Sequence, residues 1–147
     1  MTGRDEVGAG LRSLPGNSPV ARLLRVYSEV RELLGGRLPG RDDMGPERLR
    51  DMLGWVFVAE WVPPASIVVR LSGTHIDYVL GTNVTGLDFF DLYSDEARLM
   101  YSRFYRDIVG RPCAGYTRRD VIVGGRETFD YHSVYLPLDG PPDRVPI

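Results

Sequence analysis

Apolar positions follow two periods along this chain. Val20, Leu23, Leu24, Tyr27, Val30 and Leu34 recur at helical spacing, with Arg22, Arg25, Glu29 and Glu32 on the other faces. A helix is therefore expected over 18–36, opened by Ser18 and Pro19 and stopped by Gly35-Gly36. Trp55, Phe57, Ala59 and Trp61 then alternate with Val56, Val58 and Glu60, a strand apolar on both faces and so covered twice. Val62-Pro63-Pro64-Ala65 turns the chain, and Ile67, Val69 and Leu71 form an antiparallel partner strand. Thr74 is placed to cap a helix, with Asp77 three residues on as in a capping box, and Gly81 ends it. Thr82–Gly86 is a turn before a second short apolar segment, Leu87–Tyr93.

Ser94 and Asp95 begin a longer helix that closes at Gly110, with Pro112 beyond it; Ala97, Met100, Tyr101, Phe104, Tyr105 and Ile108 form its apolar stripe. Ala114–Val123 and Arg126–Leu136 read as strands joined by Gly124-Gly125, a two-residue hairpin signal. Residues 1–17 read as a disordered tail and 37–54 as a connector. Within the connector Asp42-Asp43 is better suited to capping than to metal or acid–base work, and Pro46–Leu53 is a short helix with Leu49, Met52 and Leu53 inward. The order of elements gives an α+β domain, an antiparallel sheet with helices on one face and an N-terminal helix.

A two-residue turn makes Val123 face Arg126. Arg119 would then oppose Asp130 as an ion pair, and Arg118 would oppose Tyr131 in a cation–π contact. Tyr116, Arg118, Asp120, Ile122, Phe129, Tyr131, Ser133 and Tyr135 would share one face, favoured as the inner one for its aromatic area. In that register Cys113 lies about 13 Å along the strand from His132, whereas a nucleophile–base pair with Asp130 behind it needs about 3 Å. His75-x-Asp77 supplies two metal ligands, too few for a site.

Composition narrows the classes further. The chain has 147 residues, 43% hydrophobic and 26% charged, the profile of one ordinary globular domain. A net charge of −2 gives no footprint for nucleic acid or an anionic membrane. No apolar run approaches the ~20 residues of a membrane span, and the N-terminal stretch lacks a signal-peptide core. The single cysteine fits a cytoplasmic setting. All 18 basic residues are Arg. The absence of Lys removes Schiff-base chemistry, a Lys base and the phosphate-loop Lys together.

The run Arg70–Tyr93, RLSGTHIDYVLGTNVTGLDFFDLY, resembles the signature of small bacterial single-domain PAS proteins: a strand, a small residue with Gly-Thr, a short helix ending in Gly, then Thr-Gly. The resemblance covers about Leu23 to Leu138. It implies a non-catalytic sensor or protein-interaction module, with a lead-in helix over 18–36 and a PAS-like domain over 37–147. It implies a small apolar or aromatic ligand between sheet and helices, for which Tyr78, Tyr101, Phe104, Tyr116, Arg118 and Tyr131 are the candidate lining residues. A homodimer through the N-terminal helix follows from the same resemblance, although packing on its own sheet is the simpler use of that helix. Output would pass through a separate protein. No cofactor is required; haem is not expected, since neither His75 nor His132 sits mid-helix over a pocket. The family also implies a last strand in the middle of the sheet, for which Val145-Pro146-Ile147 is short and Pro146 cannot donate. Two alternatives stand beside this reading. One is a cone-shaped enzyme of isomerase or dehydratase type using Asp120 or Asp130 as base. The other is a structural dimerisation adaptor.

Overall fold

Ser18 accepts a hydrogen bond from the Ala21 amide and Pro19 fills the first turn, so helix α1 runs Pro19–Leu33. The computed structural model describes residues 14–123 and 127–147, so most of the expected N-terminal tail lies outside the described residues. Gly35 and Gly36 take φ of 67° and 89° and end α1. Its stripe packs on its own sheet: Tyr27 clusters with Val134, Leu136 and Leu138, and Val20, Leu23 and Leu24 border them. The Tyr27 hydroxyl donates to the Pro137 carbonyl.

In the connector, Asp43 accepts from the Gly40 amide at 2.8 Å and shapes a 3-10 turn over Arg41–Met44. The helix expected over Pro46–Leu53 is replaced by a turn and a 3-10 segment, Arg50–Trp55. Leu49 and Met52 are buried, whereas Leu53 is 38% exposed. So short a segment has no helical stability of its own, and its end is set by a backbone contact. A Cβ on Gly73 would come within 2.3 Å of the Gly54 carbonyl oxygen.

Strands β1 (Phe57–Val62) and β2 (Ser66–Ser72) pair antiparallel, with a register shift between Val58 and Ala59. Helix α2 spans Thr74–Leu80. Its N-cap is Gly73, and the Thr74–Asp77 box does not form. Asp77 instead accepts from the Ser72 hydroxyl at 2.7 Å and the Val84 amide at 3.4 Å, fastening both ends of α2 to its flanks. Gly81, at φ 76°, closes it. Asp88 accepts from the amides of Phe90 and Ile67, both at 3.0 Å, and so ties the 3-10 turn Phe89–Leu92 to β2. Ser94 caps helix α3, Asp95–Gly110.

Strands β3 (Gly115–Val123) and β4 (Glu127–Tyr135) form the hairpin, and Val145–Pro146 forms β5 beside β1. The order β2-β1-β5 meets β4-β3 where the Leu138 amide donates to the Pro146 carbonyl at 3.0 Å. Pro146 thus takes part as an acceptor, the one backbone role open to it. The second half of the core lies under α3. Tyr105 is fully buried among Trp61, Phe90, Tyr101, Phe104 and Tyr135, and its hydroxyl meets that of Tyr93 at 3.0 Å. Met100, expected in the stripe, is 58% exposed. Because alternate residues of β4 point oppositely, Tyr135 meets α3 while Val134 and Leu136 meet α1. The helices α2 and α3 therefore cover one face and α1 the other.

Two glycine substitutions check this packing. Gly73→Ala should lower stability by roughly 1–3 kcal/mol, because the new methyl strikes backbone that cannot rotate away. Gly110→Ala, whose Cβ meets nothing within 4 Å, should be neutral or stabilising by about 0.5–1 kcal/mol. Urea midpoints read both, and equal midpoints would contradict the Gly54–Gly73 contact.

Candidate functional site

The hairpin register decides which side chains meet the helices. Val123 faces Glu127 and Gly115 faces Tyr135, so facing numbers add to 250, one more than a two-residue turn requires. The Gly124-Gly125 turn itself lies outside the described residues. Alternation within each strand is fixed by the pleat, but the relation between strands depends on the connection, and one residue of slip regroups the faces. Arg119 faces Tyr131, Arg118 faces His132 and Asp120 faces Asp130. Neither the Arg119–Asp130 ion pair nor the Arg118–Tyr131 contact expected from the sequence is formed. The inner face expected from the sequence is split: Tyr131, Ser133 and Tyr135 share a face with Thr117 and Arg119, and Tyr116, Arg118 and Asp120 lie on the other.

The face toward α2 and α3 carries Thr117, Arg119, Tyr131, Ser133 and Tyr135. Tyr101 and Phe104 lie within or against the aromatic core. Tyr78 is 66% exposed, since Ile76 and Val79 are the α2 residues that turn inward. What the core leaves open is a cavity of about 430 Å³, lined by Phe57, Ile76, Leu80, Phe89, Arg119, Asp120 and Tyr131 and bordered by Ser133 and Tyr135. The Arg119 guanidinium stands 5.8 Å from the Tyr101 ring centre, and among the described residues no carboxylate lies within ion-pair distance of it. Burial pushes the Tyr131 hydroxyl pKa up; it does the same to Tyr101, where nearby Arg119 opposes the shift. The Thr117 hydroxyl is buried without a partner. Of the six residues named from the sequence, the structure places Tyr131 at this cavity, Tyr101 and Phe104 in the core behind it, and Tyr78, Tyr116 and Arg118 elsewhere. Arg119 and Phe89, not named from the sequence, also line that cavity. A three-residue connection would have placed Arg119 on the same face as Tyr131.

The opposite face carries a chain of polar contacts. Tyr116 bonds His132 Nδ1, His132 Nε2 lies 3.1 Å from Asp130 Oδ2, and Arg118 donates twice to Asp130 at 2.9 Å. The Arg118 hydrogen bonds, with those of His132, hold the Asp130 carboxyl below the usual aspartate range. A general base of the glycosidase or isomerase kind needs the opposite shift, so Asp130 is unsuited to that role. Asp120 is exposed. Cys113 sits just past α3 with its thiol 3.7 Å from the Asp107 carbonyl, and both His132 nitrogens are occupied. His75 stacks on Trp55 with centroids 4.3 Å apart. Among the described residues no three or more His, Cys, Asp or Glu side chains gather as a metal set.

The PAS domain family model matches residues 17–146. The chain belongs to the PAS domain family, whose members are in general non-catalytic sensing or interaction modules. Neither curated proteins nor solved structures give a significant match. No helix among the described residues is long and apolar enough to cross a membrane.

Folding lowers the Asp130 pKa, so the stabilisation it brings is complete above the ordinary aspartate range and is lost as pH falls through the folded value. Arg118→Gln should move the Asp130 carboxyl titration, followed by carbon-13 NMR, back toward the ordinary range and weaken the acid-side loss of stability. An unchanged midpoint would show that the fork contact is absent in solution.

Proposed function

We propose that this PAS domain is a sensor whose ligand is a small aromatic carboxylate, held between α2, the Phe89–Leu92 turn and the inner face of the hairpin. The observation that carries this is Arg119. Arg119, exposed along the cavity it lines with Asp120 and beside the Tyr101 ring, has no ion pair among the described residues, and is the group an anionic ligand would satisfy. Phe57, Phe89 and Tyr131 offer aromatic area, and the Ser133 hydroxyl offers a polar contact. The volume of about 430 Å³ lies at the small end of ligand pockets. Binding would favour one of two arrangements of α2 against the hairpin and change what the domain presents to a partner.

In this reading 18–36 is a lead-in segment, 37–147 is the sensing domain, and the protein works in the cytoplasm with a separate output protein. Self-association through α1 is the weaker component, because its stripe packs on β4 and only Leu33, 73% exposed, stands well clear. The enzyme alternative on Asp130 has no support from that residue's environment.

Thermal unfolding with benzoate, phenylacetate and indole-3-acetate tests the ligand. At a hundredfold excess over its Kd a ligand adds about 2.7 kcal/mol, several degrees of Tm for a chain this size. Arg119→Gln should abolish the shift and Arg118→Gln should leave it. No shift with any of the three, or an equal shift in Arg119→Gln, would overturn the assignment.

A further inference from the structure

The outward face of α3 belongs neither to the core nor to the proposed ligand site. Tyr101, Tyr105 and Ile108 turn inward. Helical periodicity then sets Glu96, Leu99, Arg103 and Arg106 in one stripe on the far side, all four exposed. Leu99 is 70% exposed and Met100 beside it 58%. The charges of this face are segregated. Asp95 and Glu96 lie in the first turn, and Arg103 and Arg106 lie about two and three turns on. Among the described residues these four make no ion pair, whereas Arg111 pairs with Asp107 at 3.6 Å and Arg98 donates to the Phe90 carbonyl at 2.9 Å. The two acids suit the helix dipole where they stand, but Arg103 and Arg106 fall short of the last turn and gain little from it.

We propose that this face docks on the same face of a second copy of the chain, the two α3 helices running antiparallel about a two-fold axis near Leu99 and Met100. Charge complementarity selects that occupant. When Leu99 of one copy lies against Met100 of the other, Glu96 comes opposite Arg103 of the second copy, and Asp95 and Arg106 flank that pair. A parallel arrangement would set acid on acid and Arg on Arg. The acidic and basic positions cancel, so the stripe offers no net attraction to an anionic membrane or to nucleic acid. The two-fold pairing is closed, one surface on itself, and stops at a dimer. Leu99 and Met100 supply the apolar area, while the exposed ion pairs mainly set orientation. With one helix from each copy the interface sits at the small, transient end of the range. The proposal stands apart from the ligand reading, because it uses the outer side of α3 and does not involve Arg119.

Sedimentation equilibrium of the full chain at low salt, from micromolar to millimolar, tests this. A monomer–dimer equilibrium that weakens with added salt is expected, and Leu99→Glu should weaken it roughly tenfold or more. Glu96→Arg and Arg103→Glu should each weaken self-association. Mixed together, these two chains should associate with one another, since one then carries two basic positions and the other two acidic ones. The double variant, which exchanges both charges within one chain, should recover the native affinity. Urea midpoints confirm that each variant is folded, as expected for exposed positions. A chain monomeric at every concentration, whether or not it adsorbs to phosphatidylserine vesicles, would overturn the proposal. So would a dimer that tolerates Leu99→Glu and is lost in Leu33→Glu, which would place the contact on α1, or single-charge variants that fail to pair with each other.

Discussion

Tyr105 is the residue on which the helical face of the sheet depends. It is fully buried, its hydroxyl is satisfied by Tyr93, and five aromatic rings from β1, β4, α3 and the Phe90 turn surround it within about 6 Å. Edge-to-face and tilted aromatic pairs add to area burial, and a buried hydroxyl must find a partner. The result fixes α3 against the sheet and fills the middle of the space between them. Among the described residues, the flank of this face toward α2 stays open, a consequence of how the core packs.

The same constraint separates the faces of the hairpin. With Tyr135 committed to the aromatic core, its strand-mates two and four residues back, Ser133 and Tyr131, must face the helices, and the register brings Thr117 and Arg119 with them. The other parity carries the Tyr116–His132–Asp130–Arg118 chain, whose charges are paired and partly solvated, and then Val134 and Leu136 under α1. One strand thus supplies an apolar surface to two separate cores. Arg119 and Arg118, adjacent in sequence, differ electrostatically: the second is paired with a bidentate carboxylate, and the first lies against the Tyr101 ring with no ion pair among the described residues.

Much of the fold was legible in the sequence because local physics fixed it. Ser18-Pro19 and Ser94 open their helices, Gly81 closes α2, and alternation in β1 and β2 marks strands, all through interactions within a few residues. The PAS domain family and the α+β architecture were readable from the same segments. The errors fell where distant contacts decide. Gly54 against Gly73 sets the end of the connector, and Ser72 draws Asp77 away from a capping box. The connection between β3 and β4 is one residue longer than the Gly pair suggested. That single residue moved Arg118 and Tyr116 away from Tyr131 and brought Arg119 to it. The direction in which α2 presents Tyr78 likewise follows from Ile76 and Val79 packing inward.

Arg119 and Tyr131 stand opposite each other on the face beneath α2 and α3. Interstrand nuclear Overhauser contacts in labelled protein measure this directly. Backbone contacts pairing Thr117 with Ser133 and Arg119 with Tyr131 are expected, together with side-chain contacts from Tyr135 to Phe104 and Tyr105. A pattern pairing Arg119 with Asp130, with Tyr116 ring contacts to α3, would contradict it.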